Sequence, residues 1–347
     1  MIKMRYKQYE IRIACKGDID RIMEFIKEEW SENHILATSR KFFEYEYLNK
    51  DGTVNFAIAD NLETGNIDAV HAFYNYGNNS IGEDYLGGLW KAKRTEVPLL
   101  GVLVKRYLHD YTQYRSFAGV GSNPNTTIPI MQGFNWETGM LNHWYMLADC
   151  QSYQIAKITH KKIREVIEED QYTLSQIHSS EQFSIQYNDE KNKAIMPYKC
   201  KEYLIKRYFE HPVYQYKVLA IQKEDNEIQS FLVGREIEVE GSKIFRIVDY
   251  IGVEEDLAHI GQALKKELIV NQYEYIDFYC TGILDGILVR CGFVKKEDND
   301  ENIIPNYFEP FVQKNVDIYY HIPRNINMRL CKADGDQDRP NFYKERN

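Results

Sequence analysis

The feature that most restricts the fold is a local grammar used twice. "RKFFEYEYLNKDGTVNFAIAD" (40–60) reads as an aromatic helix, a break at Asp51-Gly52 and a strand; "KEYLIKRYFEHPVYQYKVLAIQ" (201–222) reads the same way. Each is followed by further strands, an amphipathic helix, another strand and a short helix ending in a Gly-Phe elbow. Tyr47 to Gly133 spans 86 residues and Tyr208 to Gly292 spans 84. Two equal spans in one element order predict a duplicated α/β domain.

The first copy opens with "YEIRIA" (9–14), alternating so that Ile11 and Ile13 share a face. Asp18 is placed to cap a helix whose Ile19, Ile22, Met23, Ile26 and Trp30 form one stripe. Strands are predicted at 54–60, 67–74 and 85–93. A helix then starts through Pro98 with Leu100, Leu103, Val104, Tyr107, Leu108 and Tyr111 at helical spacing. "RSFAGVGS" (115–122) is the next strand, and "IMQGFNWETGMLNHWYML" (130–147) a short helix turning into a long strand. In the second copy, residues 228–253 predict a hairpin turning at Glu240-Gly241. The helix at 256–272, the strand at 274–282 and the elbow at 284–293 complete the match. The boundaries read as 1–150, a charged linker at 151–195 with a helix and one strand visiting a neighbour, 196–330, and a polar tail at 331–347.

Composition narrows the partners. A net charge of −9 opposes nucleic-acid and anionic-membrane binding. The six cysteines are scattered without a C-x-x-C pair, so reduced thiols are expected. No run approaches a membrane span and no leader precedes the first strand, which predicts a cytoplasmic protein. Gly119-Val120-Gly121 lacks the third glycine of a dinucleotide fingerprint. Asp334, Asp336 and Asp338 alternate like part of a calcium loop without its closing glutamate, so a solvated tail and no metal are expected.

The unit at 85–136 is where chemistry is expected. A strand ending in Lys91, Lys93 and Arg94 runs into a helix start at Pro98–Gly101, whose amides suit a pyrophosphate. Gly101 either permits close approach of that ligand or is a small residue at a helix–sheet contact. His143 is either a general base or a hydrogen-bonded histidine on a half-buried strand. His71 carries the same two readings.

The element order, the helix start after the fourth strand and "GVGSNPNTTIPIMQGFNWETG" resemble the Gcn5-related N-acetyltransferase (GNAT) superfamily, in both halves. The phrases "TGMLNHWYML", "NYFEPFVQKNVDIYY" and "KADGDQDRPN" resemble tandem GNAT-like proteins found with bacterial surface-polysaccharide enzymes. The resemblance implies two GNAT-like domains with mixed, mostly antiparallel sheets. It also implies that acetyl-CoA or another acyl-CoA lies between the splayed fourth and fifth strands of the first. Leu89, Trp90, Lys91, Val97, Leu99, Leu100, Gly101, Asn123 and Asn125 would then contact it. The family's frequent acid tyrosine falls at Met131 and Leu288, neither of which donates a proton. His143, with Glu83 and Tyr145, is left to handle protons.

Three functions follow. The first is acyl-CoA-dependent N-acylation of an amino group on a sugar or sugar nucleotide, with a homodimer left open. The second is peptidyl transfer from aminoacyl-tRNA, which the acidic balance opposes. The third is a non-catalytic binding module.

Overall fold

The computed structural model describes residues 3–77, 83–166, 171–223 and 227–344. Strand β1 (Met4–Tyr6) pairs with β2 (Tyr9–Cys15), where Ile11 and Ile13 are buried as the alternation predicts. Asp18 precedes α1 (Ile19–Glu29), but its carboxylate does not cap the helix; it takes both terminal nitrogens of Arg12 at 2.7 Å. A bidentate guanidinium is the stronger competitor for that acceptor. Helix α2 (Ile35–Thr38) leads to α3 (Arg40–Tyr47), capped by Ser39 accepting from the Phe42 amide. Strands β3 (Thr53–Asn61), β4 (Ile67–Asn75) and β5 (Asp84–Ala92) form an antiparallel meander. Helix α4 (Leu100–Thr112) then crosses back, so that β6 (Ser116–Val120) lies parallel to β5.

The period-two pattern divides the core. Phe56 and Ile58 of β3 pack with Ile22, Ile26, Phe42 and Phe43 on the α1–α3 face. Ala57 and Ala59 face Leu100, Val104 and Leu108 of α4 on the other. One sheet is thus covered on both sides, as a buried mixed sheet requires.

After α5 (Thr127–Gly133) come β7 (Glu137–Met140) and β8 (Asn142–Leu147), which the sequence presents as one strand. They part at Leu141 and enter different sheets. The second unit is built from β9 (Thr173–Ile177), α6 (Ser180–Gln186), α7 (Asp189–Asn192), α8 (Lys201–Tyr208) and β10 (Lys217–Gln222). The hairpin of β11 (Ile228–Val239) and β12 (Ser242–Ile251) follows, turning at Glu240 and Gly241 with φ of 52° and 82°. Helix α9 (Gly261–Val270), β13 (Tyr273–Thr281), α10 (Asp285–Arg290) and β14 (Val294–Lys295) continue it. The chain then forms a small hairpin of β15 (Tyr307–Phe308) and β16 (Phe311–Val312), and ends through β17 (Tyr319–Ile322) and β18 (Leu330–Cys331).

The first sheet has the order β1-β2-β3-β4-β5-β6-β17-β7 and the second β14-β8-β13-β12-β11-β10-β9. Each unit lends the other one strand. β17 enters the first sheet between β6 and β7, and β8 enters the second between β13 and β14. The contiguous boundaries expected at 150 and 196 therefore do not divide the sheets. β9, within the expected linker, pairs with β10.

The expected polar tail is also corrected. Cys331, Lys332, Asp334 and Asp338 are all buried, and Ala333 donates to the Val248 carbonyl at 2.8 Å. Each aspartate of the alternating run finds a cation: Asp334 meets the distant Lys199, Asp338 the distant Arg235, and Asp336 the nearby Arg339. Burial of the Asp334 and Asp338 carboxylates is tolerable because both are paired.

Candidate active site

In the first unit β5 and β6 pair through Asp84↔Ser116, Tyr85↔Phe117, Leu86↔Ala118 and Gly87↔Gly119, and then part. β5 continues to Ala92 without β6. The parting is built with glycines. A Cβ on Gly119 would lie 2.2 Å from the His321 ring, and one on Gly87 would lie 2.9 Å from His71 Nε2. Gly119, which fails as part of a dinucleotide fingerprint, thus makes room for His321, and Gly87 for His71.

On the α4 side of the opening, Lys105 is 4% exposed. Its Nζ stands 5.0–5.3 Å from the ring centres of Phe117, Trp136 and Trp90. It also lies 3.4 Å from His321 Nε2, while His321 Nδ1 lies 2.7 Å from Ser122 Oγ. Burial lowers the Lys105 amine to about 7 and holds His321 well below its usual range. Ser122, His321 and Lys105 therefore form a hydrogen-bonded line from the loop after β6 into the opening, with the amine able to lose its proton near neutral pH. Sequence reading missed all three. The available signal was Lys105 at i+4 from Gly101 and i−3 from Leu108, on the buried stripe of an amphipathic helix.

The expected cofactor residues surround this opening. Leu89 is buried on β5, and Trp90 donates its indole N–H to the Gly101 carbonyl at 2.9 Å. A Cβ on Gly101 would lie 3.3 Å from Ala92 and Trp90, so its Cα side serves helix–strand contact. Lys91 lies at the far end of β5, and Lys93 faces Glu28 and Glu29 at 3.7 and 3.8 Å. Val97 and Leu100 are buried under α4, whereas Leu99 is 68% exposed at the N-cap with φ 60°. No side chain caps that helix start, leaving its first amides available. Asn123 and Asn125 occupy the loop after β6, joined by an Asn125 amide bond to Asn123 Oδ1 of 2.9 Å.

The expected proton-handling residues are not brought together. His143 does not flank the β5–β6 opening, because β8 belongs to the second sheet. There its Nε2 lies 3.0 Å from Asp277 Oδ2, and its ring stacks on Tyr279 at 3.8 Å. Burial lowers its basicity, with Asp277 opposing. Burial pushes the Asp277 carboxyl up, but Arg246 and His143 outweigh it and hold it at about 2. Tyr145 bonds Asp300 and Asn302 at 3.3 and 3.4 Å, and burial raises its phenol to about 12. Glu83 precedes β5 at the closed end of the strand pair, remote from the opening.

The corresponding opening of the second unit is filled by the chain itself. β12 and β13 run parallel to Ile247↔Phe278 and part; β18 then pairs with Cys280 and Thr281 on β13, and Ala333 bonds Val248 on β12. The start of α9 is likewise covered. A Cβ on Gly261 would meet Val166 at 2.7 Å, and Gln262 donates to the Val166 carbonyl at 2.6 Å.

Beyond β18 the chain reaches the first unit. Gly335 lies against the Gly87 and Val120 carbonyls, and Gln337 packs on Gly121, whose φ is 80°. On the second unit this segment floors a cleft of about 250 Å³, lined by Tyr214, Arg235, Tyr307, Phe308, Glu309, Lys332, Gln337 and Arg339 among others. A second group, Asp249, Cys331 and Asp334, has metal-ligating atoms within 4.8 Å of one another. The cation it holds is the Lys199 ammonium, 2.7 Å from Asp249 and 2.8 Å from Asp334.

No family model matches the sequence, and no curated protein matches it. Among solved structures, the chain is similar to a GCN5-related N-acetyltransferase from Anabaena variabilis, with a TM-score of 0.52, 9% identity, and 90% of this chain and 72% of that chain covered. It is equally similar to a protein of unknown function from Enterococcus faecalis, described as a probable N-acyltransferase, with a TM-score of 0.52, 8% identity, and 90% and 71% covered. This likeness concerns the fold. The chain is an α/β protein of two tandem GNAT-like units with mixed, mostly antiparallel sheets and flanking helices. Among the described residues, no helix is long and apolar enough to cross a membrane.

Proposed function

We propose that this protein is an acyl-CoA-dependent N-acyltransferase, with acetyl-CoA its first candidate donor, and that only the first unit binds the donor. The observation that carries this reading is the contrast between the two openings. The parting of β5 and β6 leads toward an uncapped α4 start, whereas β18 and Val166 occupy the same positions in the second unit. The Anabaena variabilis N-acetyltransferase and the probable N-acyltransferase from Enterococcus faecalis, which share the fold, support the same reaction class. Leu99–Gly101 would receive the pyrophosphate and Leu89–Lys91 would run beside the pantetheine.

In this reaction the acceptor amine attacks the thioester carbonyl; a C–N bond forms, the C–S bond breaks, and the thiolate leaves. The amine nitrogen must shed a proton. The Ser122–His321–Lys105 line is the proposed path, because the Lys105 amine is ready to accept near neutral pH. A thiolate leaves without much acid help, which suits a site where Met131 and Leu288 stand at the positions of the family's tyrosine. His143, Tyr145 and Glu83, as placed, hold structure around the two sheets.

The proposed acceptor is the amino group of a sugar or sugar nucleotide, of the kind built into bacterial surface glycans. Tyr214, Tyr307 and Phe308 give the cleft floored by the C-terminal segment aromatic faces for sugar C–H surfaces, and its polar rim gives hydroxyl partners. Its volume approaches the lower end, ~300 Å³, of small-molecule sites. The test is calorimetry with acetyl-CoA, followed by thiol-release turnover with a panel of amino sugars and nucleotide amino sugars. Amine-dependent thiol release is expected. Absence of acyl-CoA binding by the intact chain would overturn the reading.

A further inference from the structure

Lys332 is 3% exposed, lines the cleft floored by the C-terminal segment, and has no hydrogen-bond or ion-pair partner among the described residues. Its backbone is pinned between Cys331, paired with Cys280, and Ala333, bonded to Val248. The position of its backbone is therefore fixed.

The nearby carboxylates are already committed. Asp277 takes Arg246 at 2.6 and 3.0 Å and also His143. Asp338 takes Arg235 at 2.9 and 3.0 Å and the Tyr216 hydroxyl at 2.8 Å. Asp336 takes Arg339 at 2.8 Å. Arg235 and Arg339 line the same cleft as Lys332. The pairing thus leaves one buried amine over, beside three paired guanidinium groups. Its Nζ stands 5.7 Å from the Tyr279 ring centre, a weaker partner than the hydrogen-bonded anion that a buried cation ordinarily takes.

We propose that this cleft is an oxyanion subsite for the acceptor, in which Lys332 binds the anionic group and Arg235 and Arg339 flank it. This rests on the reading of the cleft as the acceptor site. The oxyanion is either the phosphate of a nucleotide-linked or phosphorylated amino sugar or the carboxylate of an acidic one. Tyr214, Tyr307 and Phe308 would then hold the neutral part of the same ligand.

Burial, with Arg246 next, lowers the Lys332 amine to about 7; Arg235 adds to this, while Asp338 and Asp277 oppose it. An anion arriving beside it restores the charged form, so binding above neutral pH must draw a proton from solvent.

The experiment titrates inorganic pyrophosphate and, separately, glucuronate into the intact chain at pH 8 without acyl-CoA. Each calorimetric titration is repeated in two buffers of different ionisation enthalpy. At least one ligand is expected to bind with net proton uptake, and which one binds identifies the phosphate or carboxylate source. Lys332→Gln should weaken that ligand about ten- to hundredfold, as expected for one charge-assisted bond, and abolish the uptake. Lys332→Arg should keep binding but lose the uptake, which separates charge from folding. Equal affinity in wild type and Lys332→Gln, or no binding of either ligand, would overturn the proposal. Acetyl-CoA binding, measured on the same samples, reports independently on the acyltransferase reading.

Discussion

Replacing Lys199 with Met tests how the C-terminal segment is held. The ammonium lies 2.7 Å from both Asp249 oxygens and 2.8 Å from Asp334, all three side chains being buried. Tyr208 also donates to Asp249, and Tyr76 of the first unit donates to Asp334 at 2.8 Å. Burial and Asp249 already raise the Asp334 carboxyl, against the pull of Lys199. Without the cation, two buried carboxylates face each other, and removing one partner of such a cluster costs about 3–5 kcal/mol. With roughly 2.1 cal/mol/K per residue of unfolding entropy over 347 residues, that is a fall in Tm of about 4–7 °C for one cooperative unit. The sign with pH is the sharper test. In the variant a carboxyl has its folded pKa raised above the unfolded value of about 3.9, so the folded chain binds the extra proton and stability falls as pH rises through that window. Thermal melts of wild type and variant at pH 5, 6.5 and 8 should therefore show the gap widening, by up to ~1.4 kcal/mol per pH unit. Adding Asp334→Asn should narrow it at pH 8. A gap of equal size at every pH would show that lost packing, not unpaired charge, is responsible.

Leu99→Asp should leave Tm unchanged or slightly raised, since an exposed N-cap at φ 60° suits Asp, yet weaken acetyl-CoA at least about tenfold by calorimetry. Lys105→Met should remove a turnover limb that rises with pH near 7, and thiol release across pH 6–9 checks this. Because the lowered amine disfavours the folded state fully below pH 7 and progressively less up to about 10.5, wild type should gain stability relative to that variant over that window in pH-dependent melts. His143→Gln should lower Tm, because it disturbs the buried contact with Asp277, while leaving acetyl-CoA affinity unchanged; a fall in turnover of about 10²–10⁴ at wild-type stability would instead restore it as a proton carrier.

Residues whose role is local were legible. The period of two through Phe56–Ala59 and the helical stripe through Leu100–Leu108 place both faces of the first sheet, and Glu240-Gly241 fixes the β11–β12 turn of the second. What escaped depends on partners far along the chain. "ETGMLNHWYML" has strand character throughout, so nothing local marks Leu141 as the point where it changes sheets. "KADGDQDR" reads as solvated because the cations that neutralise it, Lys199, Arg235 and Arg339, are visible only after folding or carry no signal of pairing. The same limit hid the candidate site: His321, which completes the line to Lys105, lies 216 residues from it in sequence. His143 was singled out for its place beside the elbow, which the strand exchange carries to the other unit.

That exchange also sets a timetable for synthesis. When β6 and β7 leave the ribosome, the strand that belongs between them, Tyr319–Ile322, has not been made. β8 emerges with Trp144, Tyr145, Met146 and Leu147, all buried in the finished protein, and must wait for β13 to cover them. Through most of translation the nascent chain therefore carries an incomplete sheet and an unshielded apolar strand, the kind of intermediate that draws chaperones and aggregates when they are scarce. The two units cannot finish folding in the order they are made; they close together, once nearly the last strand has appeared.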